Sequence, residues 1–478
     1  MSNKLPIPVF SERETYISCR NSQGGEIRAT PVRLTRFAVV FEVYNPYSIL
    51  QLSEVLSEFR ITMGDRCVFA GRAVVSNLVN TGIMLLCEAT LDESWLDVDL
   101  FSPITQPLRL QAEFDAFMSE WRKTRAVIPE FKVAVSDFQM LLMDLRRWLD
   151  QVELGVRSEP VGVRSEMERG VLGELEGRIL PEVLEWMDRF DAVADQIGDE
   201  ARSAHRAYAR RQLHPLVLCS PFVYRTFQKP LGYAGDYEMV NMILRDPHEG
   251  ATMFAKLVNV VFLQNPPALA HRNRIQHLKQ RIAEETVRVA GTGRACRVLN
   301  LGCGPAREVQ ELLAENPVCD QTDLLLLDFN GETLEFTKER LLQLRAEHGR
   351  RTALRFEEKS INQLLKEALR PDTVSQRGGY DFVYCAGLFD YVSDRVCRRL
   401  TELFYELLAP GGLLLVTNVD DSKPFRQSMD YLLEWHLIYR DRDQMRQLIP
   451  PNAATAAVEV HADPTGVNIF LELRKPAA

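Results

Sequence analysis

Val298-Leu299-Asn300-Leu301-Gly302-Cys303-Gly304-Pro305-Ala306-Arg307-Glu308 is the stretch that decides how this chain is read. An apolar run passes directly into Gly-x-Gly and then into a segment patterned as a helix. The glycines permit a tight turn and let a ligand approach the backbone, while the helix start offers free N–H groups. A dinucleotide fingerprint G-x-G-x-x-G needs a third glycine at 307, where Arg307 stands, so the chain reads as a poor NAD binder.

Outward from this turn the chain alternates between two periodicities. Apolar runs at 297–301, 323–328, 353–358, 381–386 and 412–418 predict strands, separated by stretches with helical spacing. Two last runs, 456–462 and 467–474, are joined by Asp463-Pro464-Thr465-Gly466 and predict a closing hairpin. Uninterrupted apolar runs are those of buried parallel strands, so the expectation is a doubly wound α/β sheet. Asp328 ends the second run, 24 residues past Gly304. A carboxylate there can accept both hydroxyls of a ribose. Lys359-Ser360-Ile361-Asn362 follows the third run, YDFVYCAGLFDYVSD (380–394) carries the fourth and LAPGGLLLVTN (408–418) the fifth.

In order and spacing these segments, over about 285–475, resemble the class I S-adenosylmethionine (SAM) dependent methyltransferases. The resemblance implies a Rossmann-like seven-stranded sheet with SAM as cofactor. It implies cofactor contacts from Asn300, Gly302, Cys303, Gly304, Pro305, Asp328, Phe329, Ser360, Ile361, Ala386 and Gly387. The family usually has Asp or Glu where this chain has Asn300, and that carboxylate helps hold the methionine ammonium. Asn300 carries no charge, so backbone carbonyls near Gly302 and Ala386 are expected to share the role. The plain alternative is an inactive α/β domain whose glycines only close turns.

Ahead of this core, Lys229–Asn241 reads KPLGYAGDYEMVN. The phrase resembles one in the bacterial extracellular-factor proteins, quorum-signal methyltransferases that make 3-hydroxy-fatty-acid methyl esters. That resemblance implies an O-methyltransferase acting on the carboxylate of a 3-hydroxy fatty acid or similar acyl acid. Acceptors in this fold enter over the loops after strands four and five, near Leu388, Phe389, Asp390 and Tyr391. The insertion 429–445 adds Trp435, His436, Tyr439 and Arg440; as a helix it would set His436 and Arg440 on one face. Packing on a plain amphipathic helix explains Trp435 and Tyr439 equally well. The catalytic candidates are therefore Tyr233, Asp236, Tyr237, Tyr391, His436, Tyr439 and Arg440.

Methyl transfer is an in-line displacement at a sulfonium, so the protein mainly aligns the reactants. An ionised carboxylate needs no general base, whereas a hydroxyl acceptor needs one, for which His436 or Asp236 are candidates. A polyketide or peptide acceptor is the rival within this chemistry. The run MFAKLVNVVFL (253–263) is either core or the lining of an acyl channel. No metal is expected, because the eight histidines form no H-E-x-x-H or Cys/His motif and His271 and His277 fall on different helix faces.

The chain has 478 residues, too many for one ordinary core, and its 46% hydrophobic and 26% charged residues are an ordinary globular mix. A net charge of −9 argues against a nucleic-acid partner. Nine cysteines without C-x-x-C predict reduced thiols; with no apolar leader and no membrane span, a cytoplasmic protein is expected. Residues 1–110 alternate as a small β-barrel, with turn signals at Gly64-Asp65 and Asn80-Thr81-Gly82. The stretch 26–91 resembles a PilZ domain, a binder of cyclic di-GMP. Arg28, Arg33 and Arg36 stand as a remnant of its arginine motif, but LTRFAVVFE lacks the Ser and Gly of the second motif. A degenerate barrel is expected, with cyclic di-GMP not a partner. The rival is a signalling module whose second half only binds SAM. Residues 111–215 predict a helical connector broken by a loop at 154–166, and 216–478 the methyltransferase with a helical cap. Homo-oligomerisation is left open.

Overall fold

The computed structural model describes residues 15–35, 37–43, 50–63, 66–80, 85–92, 127–368 and 379–477, with scattered helical positions between 111 and 119. The chain packs as two units: residues 1–50 with 54–125, and residues 51–53 with 126–478.

The period-2 pattern of the first unit becomes a closed barrel. Its strands are β1 (Thr15–Arg20), β2 (Glu26–Leu34), β3 (Ala38–Val43), β4 (Val55–Met63), β5 (Arg66–Asn80) and β6 (Leu85–Leu91). The order is β1-β2-β3-β6-β5-β4, with β4 pairing back to β1, so no described strand is left as an edge. Phe41, Phe59 and Phe69 fill the interior, with ring centroids 6.0 and 6.1 Å apart. Arg28 lies over the Tyr16 ring at 4.4 Å. Arg36, Gly64-Asp65 and Thr81-Gly82 lie outside the described residues.

The second unit starts with α1 (Pro129–Ser158), α2 (Val161–Ala194) and α3 (Asp199–Val217). The expected loop at 154–166 is instead helix on both sides of a break at Glu159-Pro160. Exposed Gly155 and Gly162 each cost a helix about 1 kcal/mol. Burial of Leu149, Val156 and Leu172 on the shared core outweighs that.

Next come α4 (Pro221–Gln228), α5 (Tyr237–Leu244), α6 (Met253–Leu263) and α7 (Pro266–Ala290). They share one apolar core with α1–α3 through Phe131, Phe190, Phe222 and Phe262, so the helical region does not pack as a separate body.

The α/β part follows the expected alternation: β7 (Cys296–Leu301), α8 (Arg307–Glu315), β8 (Thr322–Asp328), α9 (Gly331–Glu347), β9 (Ala353–Glu358), α10 (Ile361–Ala368), β10 (Tyr380–Cys385), α11 (Asp394–Leu407) and β11 (Leu408–Val419). After α12 (Arg426–Leu432) and α13 (Arg442–Arg446) the hairpin β12 (Ala457–Ala462) and β13 (Asn468–Arg474) completes the sheet. The seven-stranded order is β12-β13-β11-β10-β7-β8-β9, with β13 antiparallel to β11 and β12 and the remaining pairs parallel. The chain runs outward from β7 to β9 and then returns to β10 on the other side. A crevice opens at such a switch point, beyond the carboxyl ends of the strands.

The insertion differs from expectation. Helix α12 stops at Leu432, Glu434 takes a positive φ of 50°, and residues 434–441 are not helical. His436 and Arg440 therefore share no helix face.

Candidate functional site

At the end of β7 the backbone turns through Gly302 (φ 69°) and Gly304 (φ 50°). A β-carbon on Gly304 would meet nothing within 4 Å, and one on Gly302 only Leu388 at 3.9 Å. The turn thus leaves open space beside the main chain, which a side chain would fill. The amides of Gly302 and Cys303 donate to the Leu327 carbonyl at 2.8 and 3.0 Å, fastening the turn to β8. At the tip of β8, Asp328 accepts from the Gly304 amide through Oδ2 and the Asn330 amide through Oδ1, both at 3.0 Å. Burial still pushes its carboxyl up to about 6, so it has accepting capacity that added hydroxyl donors would satisfy.

One cleft joins this turn to the helices ahead of the core, and Asn300, Cys303, Pro305, Phe329, Ala386 and Gly387 line it as expected. Ser360 and Ile361 do not. The Ser360 hydroxyl accepts from the Gln363 amide at the start of α10, and Ile361 is buried. Burial pushes the Cys303 thiol well above its ordinary range, so it offers no thiolate.

The sequence reading missed three buried charged residues on the cleft, Arg274, Glu308 and Lys423. Arg274 on α7 is buried; its Nη2 donates to His271 Nε2 at 2.6 Å, and burial keeps His271 neutral. Among the described residues no carboxylate comes within 4.0 Å of Arg274, although Asp390 lies in its field. Glu308, in the first turn of α8, accepts from the Tyr384 hydroxyl at 2.7 Å and from Asn300 Nδ2 at 3.4 Å. A buried carboxylate therefore stands beside Asn300, where the strand itself carries none. Only the fold places Glu308 there, eight residues further on. Arg274 gave no distinguishing signal, since His271, Arg272 and Asn273 stand directly before it in the helix.

Of the catalytic candidates, Tyr233, Tyr237 and Tyr391 line the cleft. Tyr233 packs on Phe329 with centroids 5.0 Å apart and meets Thr333 Oγ1 at 3.2 Å; Tyr237 stacks on Phe336 at 4.5 Å. Both sit at the Asp328 end, which suits them to covering a nucleoside. The Tyr391 hydroxyl accepts from Trp435 Nε1 at 2.8 Å and donates to no described residue, so its proton is available to a ligand in the cleft.

The other four do not reach the cleft. Asp236 caps α5, accepting from the Met239 amide at 2.8 Å and pairing with Arg225 at 3.0 Å. Arg440 is spent on structure: Nη1 donates to the Phe389 carbonyl and Asn418 Oδ1 at 2.7 and 2.6 Å, and Nη2 to the Val392 carbonyl and Asp394 at 2.8 Å. Tyr439 is covered by Arg426 at 4.2 Å. His436 is buried with Nδ1 3.3 Å from Asp430, and burial lowers its pKa. Charge and aromaticity marked these residues in the sequence, but the buried backbone carbonyls of the loops after β10 claimed Arg440 first.

With this geometry in hand, residues 299–414 match the family described as a methyltransferase domain. Over those residues the chain carries a methyltransferase domain. The glycine turn, the buried Asp328 and the opposed charges of Arg274 and Glu308 would fit the nucleoside and amino-acid ends of SAM. No curated protein matches the chain.

Solved structures similar to this half include a possible exported protein from Bordetella parapertussis, at 21% identity over 53% of this chain and 86% of that one, TM-score 0.40. The N-methyltransferase NodS from Bradyrhizobium japonicum with S-adenosylhomocysteine is 13% identical over 53% and 99%, TM-score 0.31. The magnesium protoporphyrin IX methyltransferase of Synechocystis is 12% identical over 43% and 84%, TM-score 0.32. Among the described residues no helix is long and apolar enough to cross a membrane.

Proposed function

We propose that the methyltransferase domain esterifies the carboxylate of an amphiphilic acyl acid, of the 3-hydroxy fatty acid class. The observation that carries this reading is Lys423. Its ammonium is buried and lines the cleft, yet among the described residues it meets only the Pro424 carbonyl at 3.5 Å, Met429 Sδ at 3.2 Å and the face of the Tyr439 ring at 5.4 Å. Among the described residues no carboxylate comes within 4.0 Å, Asp430 and Asp191 acting from further off. A buried cation so poorly paired is stabilised by an incoming anion. In the same cleft Val240, Ile243, Phe262, Met429, Leu433 and Leu437 offer apolar surface suited to an acyl chain. Within the run 253–263 only Phe262 reaches the cleft, and its neighbours are core.

Bound SAM supplies a methyl group already activated by its sulfonium charge. In this reading Asp328 accepts the ribose hydroxyls, Arg274 pairs with the methionine carboxylate and Glu308 with its ammonium. Lys423 and the free Tyr391 proton orient the acceptor carboxylate, which attacks without a base. A hydroxyl acceptor is the second reading. Burial pulls the Lys423 ammonium down to about 8, within range of base chemistry, while His436 and Asp236 stand away from the cleft.

Purified protein given methyl-labelled SAM with acyl acids, hydroxy compounds and peptides tests this. Label released as methanol by mild alkali marks an ester and supports an acid acceptor. Label found only on alkali-stable products of non-acid acceptors overturns it. The closed six-stranded barrel supports the PilZ-like reading of the first unit as a scaffold, and titration with cyclic di-GMP is expected to show no binding. The described cysteines are all free thiols, which suits a cytoplasmic setting.

A further inference from the structure

We propose that His277, His461 and Glu472 form a site for a divalent ion of the zinc class, outside the methyl-transfer cleft. None of the three lines that cleft. Helix α7 supplies His277, while the edge hairpin supplies the other two. In its register His461 faces Phe470 and Glu459 faces Glu472, so His461 and Glu472 are diagonal neighbours on one face.

The ligand atoms already converge. His277 Nε2 lies 2.9 Å and His461 Nε2 3.3 Å from the same oxygen, Glu472 Oε1, and all three atoms fall within 4.8 Å of one another. Bonds of about 2.0–2.1 Å in a tetrahedral zinc site place ligand atoms roughly 3.3 Å apart, so an ion enters with a small outward turn of the imidazoles. Two imidazoles and a carboxylate are a zinc donor set, and unlike an all-carboxylate group they disfavour magnesium.

The surroundings hold the ligands as a metal site needs. Arg281 grips both oxygens of Glu472, Nη2 on Oε2 at 3.0 Å and Nε on Oε1 at 3.1 Å, fixing the plane of the carboxylate; an ion on Oε1 takes the place of the Nε contact. The Phe470 ring packs on both imidazoles, with centroids 4.4 and 5.1 Å away. The histidine side chains keep 22% and 29% of their surface exposed, enough for an aqueous ion to enter and retain water as fourth ligand. Glu459 adds negative charge across the hairpin. An ion here would tie the edge hairpin of β12 and β13 to α7.

The full chain, stripped with chelator, is titrated with zinc chloride and separately with magnesium chloride by calorimetry and thermal melting. One equivalent of zinc is expected to bind with Kd at or below about 10 µM and to raise the melting midpoint, magnesium doing neither. His461→Gln and His277→Gln should each weaken zinc tenfold or more while SAM binding is unchanged. The cobalt-loaded protein should show tetrahedral d–d bands without thiolate charge transfer, a readout independent of how the variants fold. Absence of saturable zinc binding overturns the site. So does binding that survives both substitutions but is lost on alkylating the exposed Cys67 and Cys219.

Discussion

The guanidinium of Arg274 lies against the α-carbon of Gly387: a β-carbon at 387 would meet Nη1 and Nη2 at 3.2 Å. Gly387 also holds φ at 89°, a region costly for other residues. The two features bind the helix ahead of the core to the loop after β10. Gly387→Ala is therefore expected to displace Arg274 and weaken SAM tenfold or more, about 1.4 kcal/mol, and to cost roughly 1 kcal/mol or more of global stability through the positive φ. Calorimetric titration beside a urea melt checks it; an unchanged affinity removes Arg274 from the cofactor site.

Asp328 sets a pH dependence. Its burial raises the carboxyl to about 6, and the ionised form is the one that accepts two ribose hydroxyls. Binding then favours the deprotonated protein, so affinity is full above that value and falls up to tenfold per unit below it. Asp328→Asn should bind weakly with the slope gone. A slope that persists in the variant assigns the titration to another group.

In the proposed reading Glu308 stands in for the acidic residue missing at 300. Glu308→Gln is expected to weaken SAM by about 10- to 100-fold, the range of a lost hydrogen bond to a charged group. Adding Asn300→Asp returns a carboxylate to the same spot, since the two side chains already touch at 3.4 Å. Recovery in the double variant is the readout. Failure of the pair to recover, with the fold intact by circular dichroism, means that Glu308 only braces Tyr384.

Arg440 is expected to matter for stability and not for chemistry. Arg440→Met leaves the carbonyls of Phe389 and Val392 without their donor. The cost is about 3 kcal/mol or more in a denaturant melt. Residual activity per folded molecule should stay close to the parent; a selective loss of kcat at full stability would falsify the structural role.

Lys423→Met tests acceptor binding apart from cofactor binding. Met matches the volume and apolar surroundings but removes the charge, so KM for an acyl acid should rise tenfold or more with SAM affinity unchanged. A rate that drops steeply with KM constant points to Lys423 as a base on a hydroxyl.

What one segment codes for locally was legible in the sequence alone. The run from Val298 to Glu308 and the continuous apolar strands announced a parallel sheet and a tight glycine turn, because burial on both faces and positive-φ turns are written in neighbouring residues. The alternation in the first 91 residues announced the barrel for the same reason. Contacts between distant segments are not written that way. Arg274 meets Gly387, Glu308 meets Asn300 and Tyr384, and Lys423 enters an apolar pocket only once the helices are laid over the sheet. The insertion teaches the same from the other side: its helical spacing was real, but the buried carbonyls of Phe389 and Val392 needed a donor, and the fold drew Arg440 out of any helix to supply it.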